Sequence, residues 1–240
     1  MAITYFGSTS SPADNGTSTA TQITLTPPGS MADGDLVYVE LWQRGTATFS
    51  VGVTGGQSWN SLTRNTNTNI AHQAFWCRFN GTWGANPRFN FSAGTNTNAF
   101  MIVFRPTSSS YSWAVDTAQS NNTFAAPSTP FTVTITGRTP TNNSNVSLAG
   151  WITADDNTWG TLSGANWSKT SLSAQYRNTS GQDMSATFAY QIQTTAAATN
   201  NVSQNQATLG GDAGNTTIIT FYEFIPPTPI VKNLGLLGVG

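Results

Sequence analysis

Histidine and cysteine occur once each in 240 residues, as His72 and Cys77, and glutamate and lysine occur only twice each. Acid–base catalysis, covalent catalysis and metal binding all draw on these side chains. Their scarcity argues against an enzyme and against a resident cofactor. Charged residues make up 8% of the chain and the formal net charge is −1. The basic residues (Arg44, Arg64, Arg78, Arg88, Arg105, Arg138, Lys169, Arg177 and Lys232) are scattered, so no stripe exists to neutralise a phosphate backbone. Nucleic acid is therefore not an expected partner. No apolar run reaches the roughly 18–20 residues of a membrane-spanning helix, and no membrane contact is expected. A lone cysteine excludes an internal disulfide framework. The first residues, Met1-Ala-Ile-Thr-Tyr-Phe-Gly, lack the basic and apolar stretches of a signal peptide. The expectation is a protein made in a cytoplasm yet surfaced for the outside, as virion proteins released by lysis are.

What the chain does have is Thr, Ser and Asn, about a third of all residues, with eight Trp and thirteen Phe. The aromatics give bulk for a core, which a disordered chain would lack. Period-two alternation recurs between Gly, Asn, Ser and Pro punctuation. It predicts strands at 21–26, 35–43, 47–53, 72–79, 87–92 and 98–105. The second half adds 131–136, 145–153, 172–177, 185–193 and 215–224. No window supports a long helix. The fold class is all-β: a jelly-roll-like two-sheet antiparallel β-sandwich built from an internally duplicated half.

The duplication is read from elements that recur in order. GDLVYVELW at 34–42 answers to NSNVSLAGW at 143–151, and GGQSWNSL around Trp59 answers to GANWSKTSL around Trp167. QAFWCRFNG at 73–81 parallels SAQYRNTSG at 173–181, and PRFNF with AFMIVFR parallels SATFAYQ with TTIITFYEF. Residues 1–225 read as one sandwich domain with halves at about 20–117 and 131–225, strands of both halves pairing to close the edges. The Asn-, Ala-, Ser- and Pro-rich segment 118–130 reads as the crossover.

Four motifs carry a resemblance over about residues 20–224: Ala32-Asp33-Gly34-Asp35-Leu36-Val37, Gln57-Ser58-Trp59, Phe75-Trp76 and Val103-Phe104-Arg105-Pro106. In this the chain resembles β-sandwich virion surface proteins of tailed bacteriophages and prophages. It departs from them in Arg-Pro where Arg-Gly is more usual, and in a weaker tryptophan turn in the second half. The resemblance implies a decoration or adhesin-type surface protein and implies no active site.

Candidate sites are few. His72 and Cys77 have opposite parity on one strand and point apart, so they cannot form a nucleophile pair. Two acidic pairs, Asp33/Asp35 and Asp155/Asp156, flank predicted strands. Opposed carboxylates serve glycosidases and oxygen-rich loops hold Ca²⁺, but Asp-Gly sequences at strand ends are first of all turns, and no complete calcium loop is present. No catalytic or metal residue is assigned. Trp83, Trp113 and Trp159 lie in Gly- and Asn-rich, turn-like contexts where an exposed indole could stack on a sugar or a partner. About ten Asn-X-Ser/Thr sequons, including Asn80, Asn121, Asn145, Asn166 and Asn201, barely exceed what this composition yields by chance. After the last strand, Pro226, Pro227 and Pro229 stiffen a spacer that leads into Ile230, Val231, Leu234, Leu236, Leu237 and Val239. Residues 226–240 thus read as an apolar docking arm.

The expectation is a non-enzymatic phage structural protein on the particle exterior, with capsid decoration or cement as the first placement. A glycan-binding tail fibre or adhesin module is the second, and an extracellular filament subunit joined by its arm is the third. The expected partners are capsid or tail subunits, further copies of the chain and, for an adhesin, a host glycan.

Overall fold

The computed structural model describes residues 2–11, 20–67, 69–93, 96–125, 131–155, 158–169, 175–178, 184–206 and 213–227. Among these the chain is all-β, without a helix. The first half holds β1 (Thr4–Ser11), β2 (Gln22–Thr24), β3 (Leu36–Arg44), β4 (Phe49–Val53), β5 (Asn60–Ser61), β6 (Asn65–Thr66), β7 (Ile70–Arg78), β8 (Arg88–Phe91) and β9 (Thr97–Arg105). The second holds β10 (Ser112–Phe124), β11 (Phe131–Ile135), β12 (Asn145–Thr153), β13 (Ser168–Lys169), β14 (Gln175–Asn178), β15 (Met184–Gln193), β16 (Val202–Gln206) and β17 (Gly214–Phe224).

One large sheet runs β1-β9-β3-β7-β5, with β6 also on β7. The other runs β10-β17-β12-β15-β13, with β14 also on β15. The order is the same in both. The small sheet β2-β8-β4 accompanies the first, and β11-β16 accompanies the second. The position of β4 is taken by isolated bridges from Trp159 to Gln206 and from Ser163 to Ser203.

The two large sheets pack face to face, which makes the antiparallel sandwich. Phe100 stacks on Phe188 with centroids 4.8 Å apart, Trp42 lies 5.7 Å from Phe188, and Trp76 lies 5.2 Å from Phe221. Alternate residues of β3 serve different layers. Leu36, Tyr38 and Trp42 face the other half, while Val37, Val39 and Leu41 face the small sheet. A strand covered on both faces has no solvent side, so LVYVELW reads as an almost continuous apolar run.

The halves are not interleaved. Every described strand pairing joins strands of the same half, so the sheets themselves are unmixed. The connection between halves is 106–111, not 118–130. Much of the latter belongs to β10, which pairs with β17 from Ser112 to Phe124 through two irregularities. Its Asn- and Ser-rich composition reflects an edge strand held by backbone pairing rather than a linker.

The registers also correct the internal alignment. Leu36 lies opposite Phe104, and Val146 lies opposite Phe221. Leu36 therefore answers to Val146, and Leu41, not Trp42, answers to Trp151. The faces agree, since Trp42 fills the central layer and Trp151 the layer under β11-β16. Aligning the two tryptophans slips the register by one residue and turns every side chain over. Likewise β7 answers to β15 rather than to 173–181, and β8 answers to β16.

Candidate functional site

The Asp33-Gly34-Asp35 turn is a structural clamp. Arg105 donates from Nε and NH2 to both oxygens of the fully buried Asp35, at 3.0 and 3.1 Å, and Ala32 N donates to Oδ2 at 2.8 Å. The Arg105 guanidinium also sits 4.1 Å over the Phe6 ring. Its hydrogen bond to Asp35 holds its pKa above the usual value, against the opposing effect of burial. Arg78 grips Asp33 in the same two-pronged way, at 2.9 and 3.1 Å, and donates to Ser109 O and Tyr111 O. Trp113 Nε1 donates to Gly34 O at 2.8 Å. Gly34 has φ +94°, and a Cβ there would meet Ser109 O at 3.0 Å, so this turn needs glycine. The clamp ties together the start of β3, the end of β9, the 106–111 connection and the start of β10. Both carboxylates are occupied by arginines, which leaves neither for acid–base work.

His72 and Cys77 face opposite layers. Cys77 lies among Phe75, Phe79 and Val37, and burial pushes its thiol up, away from the reactive thiolate. His72 Nδ1 lies 2.7 Å from Glu40 Oε1, and the Tyr38 hydroxyl donates to Glu40 Oε2. Burial, reinforced by Glu40, pushes the Tyr38 pKa well up. Tyr38 is 2% exposed, and Glu40 and His72 are not exposed at all. This triad has acid–base chemistry but no access for a substrate. Sequence reading missed Glu40 because it sits inside an otherwise apolar strand.

The remaining described carboxylates are engaged as well. Glu223 accepts from Thr107 N at 2.7 Å and Thr107 Oγ1 at 2.6 Å. Asp116 accepts from Thr141 N and Asn142 N at 2.9 and 2.8 Å. Asp155 also takes part in an interaction, and Asp156 lies outside the described residues. Among the described residues, no three His, Cys, Asp or Glu side chains come together as a metal site would require.

The tryptophans are not free stacking surfaces. Trp113 and Trp159 are each 3% exposed, which corrects the expectation that their indoles stand free to stack on a sugar or partner. Trp83 is half-buried between Phe79, 5.0 Å away, and Trp59, 6.5 Å away. Pro226 and Pro227 are exposed, whereas Ile230, Val231, Leu234, Leu236, Leu237 and Val239 lie outside the described residues. Ile225, immediately before the prolines, is 70% exposed and borders a concavity of about 340 Å³ with Tyr111, Tyr222 and Phe224. A second concavity, about 440 Å³, runs along the clamp from Ala32 to Ser109. A third, about 320 Å³, is lined by Thr132, Thr161, Ser163, Ser203, Gln204 and Asn205, all hydroxyl or amide side chains. Compared with known proteins, the chain matches no family model, no curated protein and no solved structure.

Proposed function

We propose that this is a non-catalytic structural protein of the exterior of a phage particle, acting as a capsid decoration protein. The observation that carries the reading is that the carboxylates of Asp33, Asp35, Glu40, Asp116 and Glu223 are all engaged in structural contacts. The single histidine and cysteine are also sealed in separate layers. Such a molecule has its polar chemistry committed to holding shape, which suits a cement role. The exposed Ile225 at the root of the proline spacer gives the docking arm a starting point.

The test mixes purified protein with capsids that lack it. Binding at a fixed stoichiometry with raised resistance to heat is expected, and removal of residues 228–240 should abolish both. Attachment to host cells with no affinity for capsids would replace this reading with an adhesin. Polymerisation of the purified chain on its own would replace it with a filament subunit.

A further inference from the structure

The two halves leave their last large-sheet strands by opposite means. Leu36 lies opposite Phe104 and Val146 opposite Phe221, so Arg105, Thr107 and Ser108 answer to Tyr222, Phe224 and Ile225. In the first half this exit is polar and tied down. Arg105 holds Asp35, Thr107 donates to Glu223 from N and Oγ1, and Ser108 Oγ shares a hydrogen bond of 2.9 Å with Ser110 Oγ. In the second half the exit is apolar. Ile225 is 70% exposed, and the half-buried Tyr222 and Phe224 have ring centroids 5.8 Å apart. With Tyr111 and residues 142–144 they line the concavity of about 340 Å³. Tyr111 precedes β10 and residues 142–144 precede β12, the two strands that flank β17, so the concavity lies at the end of β17 between them. Its wall is fixed, because Asp116 holds Asn142 N, and Ser144 O accepts from Glu223 N at 3.1 Å. A lone exposed apolar residue needs no explanation, but several gathered around one concavity mark a contact surface.

The chain itself supplies an occupant of matching chemistry. Residues 230–239 hold six large apolar side chains, from Ile230 to Val239, and a single charge, Lys232. Glu223, the one charged residue of the lining, has its carboxylate bonded to Thr107, so no free charge opposes an apolar guest. A short return within the same copy is disfavoured. Pro226 and Pro227 fix φ, and a residue before proline is held extended, so the chain leaves Ile225 without a tight turn. With Pro229 the spacer favours polyproline geometry, in which the residues 226–229 cover about 12 Å. The apolar stretch therefore starts beyond the concavity that Ile225 borders, and the matching surface within its reach is that of another copy.

We propose that the concavity at Tyr111, Tyr222, Phe224 and Ile225 receives the 230–239 segment of a second copy of the chain. The inference rests on the reading of residues 226–240 as a docking arm, but not on the capsid. Each copy gives an arm and receives one, so the contact is head-to-tail and either closes into a ring or runs on as a fibre. A ring would set several weak capsid contacts side by side and so serve decoration through avidity. The test is sedimentation of the purified full chain, of Ile225→Asp and of the chain without residues 228–240. The full chain should self-associate at micromolar concentration. Ile225→Asp spoils the receiving site and the deletion removes the arm, so each should weaken self-association by about tenfold or more. Because Ile225 is exposed and the deletion starts beyond β17, both variants should keep the parent's melting temperature. Mixed together, they should form a one-to-one pair, since the first retains an arm and the second a concavity. The inference is overturned if the full chain sediments as a monomer, if either variant associates as the parent does, or if the mixture stays monomeric. A monomeric parent that loses stability on deletion would put the arm in its own concavity and overturn it equally. No capsid enters these measurements, so their failure leaves the decoration reading standing, whereas an intact oligomer that ignores capsids would remove that reading alone.

Discussion

The two halves share a strand order and fill it differently: the layer of the second half holds an apolar cluster around Trp151, Trp159 and Trp167 but sets buried amides and hydroxyls beside it. Across the outer face of the first large sheet, Cys77, Val37 and Val103 form one row, and Phe75, Val39 and Met101 form the next. The answering rows of the second are Gln191, Ser147 and Thr220, then Ala189, Ala149 and Ile218. The Ser147 and Thr220 hydroxyls bond each other at 2.7 Å inside that layer, and Gln191 Oε1 has no partner. The first half therefore has an apolar, aromatic interior of its own. The second has a mixed layer under β11-β16 and also packs on the central layer, where Phe188 and Phe221 meet Trp42, Phe100, Tyr38 and Trp76. Topology is set by backbone pairing and by which positions face inward. It does not require every inward position to be apolar, provided enough of the layer is.

The sharpest way to break this contrast is to truncate answering residues. Phe89→Ala removes a fully buried ring from the apolar interior of the first half and should cost about 3–5 kcal/mol. Gln204→Ala removes a smaller side chain that is equally buried, and with it two unpartnered polar atoms, whose burial costs roughly 1–3 kcal/mol each. Its net effect should stay within about 1 kcal/mol of zero. Urea denaturation of both variants measures the difference. Equal losses would mean that the second interior is as tightly packed as the first.

A smaller effect separates the ends of the central strands. Arg105→Met leaves Asp35 fully buried with a single remaining donor, Ala32 N, and should cost about 2 kcal/mol, discounted because Arg105 is partly exposed. At the answering place Asn145 lies opposite Tyr222, with no ion pair between them. Tyr222→Leu should therefore change stability by less than about 0.5 kcal/mol. Comparable losses from the two substitutions would show that the clamp is not what fixes the first half.

Wherever a strand is covered by apolar neighbours, its pattern was legible. All eleven predicted segments overlap strands, from Gln22–Thr24 to Gly214–Phe224, although residues 172–174 of the segment 172–177 lie outside the described residues. The misses have a physical cause. β1 and β10 are sheet edges with register irregularities, held by backbone bonds to β9 and β17 rather than by inward side chains. In β16 the inward positions after Val202 are Gln204 and Gln206, so the hydrophobic pattern that marks a strand is missing. The Asp-Gly-Asp turn was recognisable, but its arginine partners lie 45 and 70 residues away and emerge only from the pairing of β3 with β7 and β9. Two tryptophans at similar places suggested the wrong register because chemical identity outweighed the face that each side chain takes.

The smallest expected effect concerns a bulge that both halves share. β1 is irregular between Tyr5 and Gly7, and β10 between Val115 and Thr117, so Phe6 answers to Asp116. Phe6 lies under the Arg105 guanidinium, whereas Asp116 ties down the backbone of residues 141 and 142. Burial alone would raise the Asp116 pKa, but the bonds from Thr141 and Asn142 outweigh it and hold the carboxyl below its ordinary value. A depressed carboxylate contributes stability that is complete above the unfolded value of about 3.9 and disappears as pH falls through the folded value. Asp116→Asn should therefore cost on the order of 1 kcal/mol at neutral pH and nothing at the acid end of the titration. Phe6→Leu removes only a ring–cation contact of about 0.5–1 kcal/mol, and because Arg105 stays charged its loss should not vary over the same range. Melting temperatures of both variants against the parent, followed from neutral pH into acid, decide between them. A deficit for Asp116→Asn that persists unchanged in acid would show that the bulge is held by shape in both halves and by charge in neither.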